Sequence, residues 1–363
     1  YWSKLYSLGG VPLILQTQDV SDYESLFHER SSTSECVAQI LKDINEAIEL
    51  LPDKWDDANY GRIDKGVAMA WKGRMLLQYA SPLFNRNNDL TRWQDAYDAN
   101  KEAVDFLQSM GKGLYEGDFA DIWYEEQNKE VIMVTQYYYP DHAFNQASIR
   151  PEPLTKDAAN HNLAIYSLLM AYPKLDGTPL TDLNRLATDE AYNLQFLTDF
   201  YTNRDPRFHA TIHCPGMAYP AEDKLPGGMK YWNAWYLRED PSSTTGYVYK
   251  SLVVDELGTD IGAGTAGYFQ LKGVDPDLTQ ATIGQAETDW IEIRFAEVLM
   301  NMGEAANEIG KSSEALQVLY DIRKRAGIQS KDGKYGITAT TQDDIREAYI
   351  NERLIEFAFE GKR

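Results

Sequence analysis

Apolar positions recur at helical spacing along two long stretches of this chain and lose that rhythm between them. In the first stretch, Val37, Ile40, Leu41, Ile44, Ile48 and Leu51 share one face of a helix over 35–51, and Pro52 stops it. Asp64 is placed to cap a second helix that runs to about Ala80, with Pro82 just beyond. Thr91 to Leu107 carries Trp93, Ala96, Tyr97, Val104 and Leu107 and predicts a third. Residues 1–8 read as the tail of a helix broken by Gly9-Gly10-Val11-Pro12. Val131-Ile132-Met133-Val134 is β-branched and apolar, and predicts a strand.

The helical rhythm returns at Trp290. Ile291, Phe295, Val298, Leu299, Met302, Ala306 and Ile309 predict one apolar face of a helix opening at Trp290. Gly310 suits the left-handed position that ends it, and Ser312 is the expected N-cap of the next helix. That helix carries Ala315, Leu316, Leu319 and Ile322 and ends at Gly327. So short a turn predicts an antiparallel, tetratricopeptide-like hairpin. A closing helix is expected from Asp343 to Glu360. Its Glu352, Glu356 and Glu360 are spaced by four and fall on one face. Three stacked acids repel unless cations lie opposite. Arg294, Arg323 and Arg325 are the natural partners, which makes a structural charge network a better reading than a catalytic pair.

Between Pro140 and Asp289, Pro, Gly, Asn and Asp punctuate the chain every few residues. One helix is expected near 189–201, and the rest reads as loops and short strands. Loops this long are functional or disordered, and their many aromatic residues argue against disorder. The expected fold class is mainly α: helical hairpins form a scaffold, with a long irregular insertion and a few short strands.

Several motifs resemble those of the SusD/RagB family. The C-terminal signature is carried by Arg294-Phe295-Ala296-Glu297-Val298-Leu299, then Glu304-Ala305-Ala306-Asn307-Glu308-Ile309-Gly310, then Ile322-Arg323-Lys324-Arg325-Ala326-Gly327. Glu352-Arg353-Leu354-Ile355-Glu356-Phe357-Ala358-Phe359-Glu360-Gly361-Lys362-Arg363 is similar to the closing motif. Weaker matches are Gly9–Leu13, Gly61–Ala68, Asp176–Pro179, Asn203–Phe208 and Gly246–Lys250, in family order over nearly the whole chain. The resemblance implies a single SusD-like domain over 1–363. Within it, 1–139 and 290–363 are helical and 140–289 is the irregular, ligand-side region. It further implies a nutrient-binding lipoprotein on the cell surface of Bacteroidetes-type bacteria, capping a TonB-dependent, SusC-like outer-membrane transporter. The family continues beyond both ends of this chain. Its lipidated cysteine, the sole expected membrane attachment, would therefore lie upstream of Tyr1.

Composition narrows the function. Hydrophobic residues make up 43% and charged residues 25%, as in ordinary soluble domains. A net charge of −21 argues against nucleic acid and anionic membrane surfaces, which need clustered Lys and Arg. No run of about 18 apolar residues is present, and no signal peptide is visible. Cys36 reads as a small core residue, and Cys36 and Cys214 leave a single disulfide open. His209 and His213 are four apart, but Pro206 and Pro215 do not support a helix there. With no His-Glu-x-x-His or clustered cysteine, no zinc site is expected. Asp275-Pro276-Asp277 offers calcium two carboxylates without the further ligands of an EF-hand. GxGxxG, Walker A and GxSxG motifs are missing, so no cofactor and no catalytic activity are expected.

The 24 tyrosines and 8 tryptophans point to ligand chemistry. A sugar ring has an apolar C–H face that stacks on an aromatic ring and a hydroxyl edge that needs polar partners. The densest cluster is Tyr231-Trp232-Asn233-Ala234-Trp235-Tyr236, followed by Arg238 and Asp240. Trp232, Trp235, Tyr236, Arg238 and Asp240 are therefore candidate ligand contacts; the structural alternative is that the tryptophans anchor the irregular region. Tyr137-Tyr138-Tyr139 follows the expected strand, where alternation exposes either Tyr138 or its two neighbours; Tyr138 joins the candidates, against the structural alternative of packing at the strand end, which tyrosine's preference for strands favours. The expected function is capture of an oligosaccharide, or else a peptide, and its delivery to the transporter. The rivals are a helical-core glycoside hydrolase and a tetratricopeptide-type adaptor for protein partners.

Overall fold

A computed structural model describes residues 2–149, 162–182, 185, 188–214, 217, 236–239, 241–242, 244, 247–250, 268–275, 277–279 and 281–362. The chain is mainly helical. In order, the helices named below are α1 (Trp2–Leu8), α2 (Thr33–Leu50), α3 (Lys65–Ala80), α4 (Leu90–Ser109), α5 (Tyr166–Ala171), α6 (Glu190–Asp199), α7 (Pro206–Thr211), α8 (Phe295–Glu308), α9 (Ser312–Arg325) and α10 (Gln342–Glu356). The strands are β1 (Val131–Thr135), β2 (Ile212–His213), β3 (Tyr236–Glu239), β4 (Tyr247–Lys250), β5 (Phe269–Gln270) and β6 (Trp290–Arg294). They pair into three two-stranded antiparallel sheets, β1–β6, β2–β5 and β3–β4. Among the described residues no helix is long and apolar enough to cross a membrane.

Two compact units are present. The first comprises Tyr1–Gly111 and Glu297–Gly310. Its α2 opens with a capping box: the Ser32 side chain accepts from Glu35 N while Glu35 reaches back to the Ser32 backbone. Asp64 caps α3, its carboxylate accepting from Val67 N. α3 packs on both α2 and α4, and it buries Val67, Ala70, Met75 and Leu77. α4 contributes Trp93, Ala96, Tyr97, Val104 and Leu107 to the same core. Each such large side chain stabilises the fold by about 1.5–3 kcal/mol relative to exposure. The close approach of α3 and α4 requires Gly73, where a Cβ would lie 2.2 Å from Asn100 Oδ1. Asn100 donates to Gly73 O at 3.0 Å and to Ala96 O at 2.8 Å, with no exposed surface of its own. Arg74 closes on Glu297 in a two-pronged pair, Nε to Oε1 at 2.5 Å and Nη2 to Oε2 at 2.8 Å.

The second unit comprises Lys112–Ala296 and Lys311–Arg363. α9 packs on α10, where the buried Tyr349 hydroxyl donates to Ala315 O at 2.7 Å. α10 also packs on α5, and a core of Leu169, Tyr172, Phe208, Ile212 and Ile355 forms beside it. Both cysteines are buried free thiols.

Four expectations are corrected. The helix expected to open at Trp290 begins at Phe295, because Trp290–Arg294 is a strand. Ile291 and Ile293 are buried at alternate positions, and the segment pairs with β1, Thr135 opposite Trp290 and Val131 opposite Arg294. A partner distant in sequence outweighs a helical period that five residues fit only loosely. Second, Pro206 begins a helix rather than forbidding one. It occupies the first turn of α7, where its missing N–H costs nothing, and Asp205 caps it. α7 ends at Thr211, so His209 and His213 share no helix face. Third, α10 ends at Glu356, and Glu360 follows in a turn where Phe359 has φ +65°. Fourth, Lys311 rather than Ser312 stands at the N-cap of α9.

Candidate functional site

The closing acids are buried and fully engaged within the second unit. Glu356 Oε1 accepts from Arg294 Nη1 at 2.6 Å and from Arg325 Nη2, and its Oε2 accepts from Arg207 Nη1 at 2.7 Å. Glu352 Oε2 accepts from Arg323 Nε at 2.7 Å, and its Oε1 forms an ion pair with Arg207 Nη2 at 2.7 Å whose angles are not those of a hydrogen bond. Glu360 meets Arg294 at 2.9 Å and Lys272 Nζ at 3.0 Å. Glu130 meets Arg294 Nη1 at 2.7 Å. Burial works against the ionised form of Glu356. Arg325, Arg294, Arg207 and Lys272 outweigh it and hold the carboxyl well below its ordinary range. Burial pushes the Lys272 ammonium down to about 8, with Glu360 opposing. The expected partners Arg294, Arg323 and Arg325 are all present. Arg207, Lys272 and Glu130 join them without having been anticipated. Acids with no solvent access, each pinned by arginines, cannot exchange protons with a substrate.

Solvent-facing chemistry gathers at the other end of β1. Beyond Thr135 the backbone is held by carboxylates: Tyr137 N donates to Asp289 Oδ1 at 3.1 Å and Tyr139 N to Glu287 Oε1 at 3.0 Å. Tyr138 and His142 exchange two backbone hydrogen bonds of 2.9 Å, closing the turn. The Tyr137 ring stacks between His142 and Phe144, each with a centroid separation of 4.9 Å, and Trp290 and Trp123 continue the row. These rings brace the strand end. Tyr138 and Tyr139 are left 53% and 52% exposed, so two neighbouring tyrosines face solvent rather than the alternating one.

A groove of about 520 Å³ lies in the same unit, lined by Tyr124, Glu126, Asp275, Asp277, Leu278, Gln285, Glu287 and Thr288. Glu287 belongs both to the groove and to the support of Tyr139. The Tyr124 hydroxyl donates to Val274 O at 2.7 Å, which sets its half-exposed ring as a wall. Burial first, then the charges of Asp289 and Glu287, raise the Glu126 carboxyl above its usual value. Burial also raises Asp289, against the bond from Tyr137 N. Such a groove presents acceptors for hydroxyl groups beside aromatic faces. Among the described residues, no group of three or more His, Cys, Asp and Glu side chains could hold a metal ion.

Of the candidate contacts, Tyr138 stands at this strand end. Tyr236 and Arg238 fall on β3, whose backbone pairs Tyr236 with Lys250 and Arg238 with Val248; their side chains lie outside what is described. Trp232, Trp235 and Asp240 lie outside the described residues. Sequence reasoning missed Tyr124, Glu126, Glu287 and Thr288. They sit in unrelated local contexts, and no sequence signal placed 287–289 along the extension of β1, because Trp290 was read as the start of a helix.

Two family models match the chain: one described as the SusD family, over residues 145–363, and one described as starch-binding, associating with outer membrane, over residues 2–77. A SusD-like protein P2 from Formosa agariphila is 42% identical over 82 residues, which is 22% of this chain and 16% of that one. The crystal structure of a SusD-like protein from Bacteroides fragilis superposes with a TM-score of 0.69 at 27% identity, over 97% of this chain and 62% of that one. A SusD-like carbohydrate-binding protein from the same organism gives 0.68 at 19% identity, over 99% and 63%. The chain thus spans less than two thirds of either solved chain.

Proposed function

The chain belongs to the SusD family, and from that premise we propose that it binds an oligosaccharide at the outer face of the outer membrane and passes it to a SusC-like TonB-dependent transporter. The observation that carries this reading is the pair of exposed tyrosines, Tyr138 and Tyr139, held at the end of β1 beside a carboxylate-lined groove. Their rings supply stacking faces. Glu126, Glu287, Asp275 and Asp277 supply acceptors for sugar hydroxyls. Trp232, Trp235, Tyr236, Arg238 and Asp240 belong to the same proposal as a second contact region. So do the organisation of 1–363 as one SusD-like domain, the role of the helical scaffold in meeting the transporter, and the lipid anchor.

Binding without cleavage is part of the reading. Glu352, Glu356 and Glu360, the acids whose spacing most resembles a catalytic set, are buried and ion-paired. Calorimetry with maltoheptaose, laminarihexaose, xylohexaose and mannohexaose is the test, paired with an overnight assay for new reducing ends. At least one glycan should bind, with no ends released. A protein that binds none of the four overturns the reading, and released ends make it a hydrolase. Recovery of the transporter with the full-length protein from solubilised outer membranes tests the delivery step.

A further inference from the structure

The groove wall that carries Asp275 has no secondary structure of its own, so something else must hold it. Three successive residues are tied in three ways. Gly273 O accepts from the Gln146 side chain, Nε2 to O at 3.1 Å. Val274 buries its side chain, and its carbonyl accepts from the Tyr124 hydroxyl at 2.7 Å. Asp275 N donates to Gln146 Oε1 at 2.9 Å. One amide thus grips the backbone at two points, using its donor for one and its acceptor for the other. Gln146 itself has no exposed surface and is anchored through its own N–H on Ile283 O at 3.1 Å. Just before this strap, Lys272 inserts into the charge core, donating to Glu356 O at 2.9 Å.

We propose that Gln146 is a positioning residue for the ligand groove: it touches no ligand, and its amide sets where Asp275 and the Tyr124 ring stand. This inference rests on the reading of the groove as the binding site. The chain of effect is short. Asp275 Oδ1 accepts from Asp277 N at 2.9 Å, and Thr288 Oγ1 lies 3.5 Å from Asp275 Oδ2. The orientation of one carboxylate therefore organises two further lining residues. Gly273 adds a constraint: its φ is +71°, and a Cβ there would lie 3.1 Å from Trp290. The strap thus packs closely on the Trp290 ring, and the Gln146 amide ties its backbone at Gly273 and Asp275. Only a carboxamide offers both hydrogen-bonding roles at this length without a charge. Methionine matches the length and offers neither role; glutamate keeps the acceptor for Asp275 N and sets a carboxylate against Gly273 O.

The test uses Gln146→Met and Gln146→Glu, with whichever of the four oligosaccharides the unmodified protein binds most tightly. Gln146→Met should weaken binding about tenfold, since both hydrogen bonds that position the strap are lost together. Gln146→Glu should fall between Gln146→Met and the unmodified protein, and the Asp275 amide should exchange hydrogen faster in Gln146→Met. Asn100→Ala, which removes a buried amide in the other unit, serves as the stability control: it should lower the melting temperature and leave affinity unchanged. A cycle of Gln146→Met with Tyr124→Phe should be non-additive in affinity, because both side chains hold the same strap. If Gln146→Met binds as tightly as the unmodified protein while Tyr138→Ala does not, the positioning role is wrong and the groove reading stands. If Asn100→Ala loses affinity as much as Gln146→Met, the effect is general loosening and the inference fails. If no variant at Tyr138, Tyr139 or Gln146 alters affinity, the groove reading itself is overturned.

Discussion

Arg294 ends β6 and Glu356 ends α10, and their side chains meet at 2.6 Å with neither exposed to solvent. Arg294 also bonds Glu130 and Glu360, so one guanidinium joins a strand, a helix end and the turn beyond it. Taking such charges out of water is expensive, and they are tolerable because the set is nearly complete. Removing one member leaves its partners buried and uncompensated.

Glu356→Gln should therefore destabilise the protein by about 3–5 kcal/mol, with Arg294, Arg325 and Arg207 left facing an uncharged amide. Denaturant titration of both proteins measures it. An unchanged unfolding midpoint would mean that the network contributes nothing to stability.

The same acids set a pH dependence. Glu352 sits below its ordinary value of 4.5 in the folded chain, and Glu356 and Glu360 sit well below it. On acidification the unfolded chain binds protons first, so the stability these groups contribute is complete above the unfolded value and is lost as pH falls through the folded ones. The melting temperature should hold between about pH 7 and 5 and drop steeply below about 4.5. Glu356→Gln should show a shallower drop. Parallel curves for the two proteins would refute the assignment to Glu356.

Tyr138→Ala and Tyr139→Ala should each weaken oligosaccharide binding by roughly tenfold, by analogy with about 1–3 kcal/mol for one nucleobase stacked on an aromatic ring. Both rings are about half exposed, so the melting temperature should stay within about 1 °C. Loss of affinity together with a large loss of stability would instead mark these rings as structural.

Arg74→Lys in the first unit should cost about 1–3 kcal/mol, because lysine cannot reproduce the two parallel bonds to Glu297. Arg74→Ala should cost more, since Glu297 is almost fully buried. Equal stability of Arg74→Lys and the unmodified protein would show that a point charge suffices.

Gly177 and Gly336 cross at backbone distance: a Cβ on Gly177 would lie 2.1 Å from Tyr335 O, and one on Gly336 would lie 2.2 Å from Gly177 C. Both have φ near +78°, and Arg323 Nη1 bonds the carbonyls of Gly177 and Tyr335 beside them. Gly336→Ala should destabilise by about 3 kcal/mol or more, because backbone rather than a side-chain tip must move. Thermal melting of the variant checks this, and a loss below about 1 kcal/mol would show that the crossing is loose.

What the sequence by itself determined is whatever depends on neighbours a few residues apart. Asp64 with Val67 is a cap that forms within one turn, so the start of α3 was legible; the equally local caps Ser32 with Glu35 and Asp189 with Tyr192 went unread, and α2 begins at Thr33, two residues before its expected start. Gly310 and Gly327 stood out as helix ends because few other residues take φ of +81° and +84°. The repeat of Glu352 and Glu356 announced a need for cations, since like charges on one face require compensation wherever the helix packs. Arg294, Arg323 and Arg325 could be named from the sequence as partners, but tertiary structure alone added Arg207 and Lys272, which reach Glu356 from segments 149 and 84 residues away. It also turned Trp290–Arg294 into a strand, through a partner whose pairing no local pattern encodes. The groove belongs to the same class. Tyr124, Gln146, Asp275 and Glu287 carry no shared motif, and they meet because hydrogen bonds between distant loops hold them there.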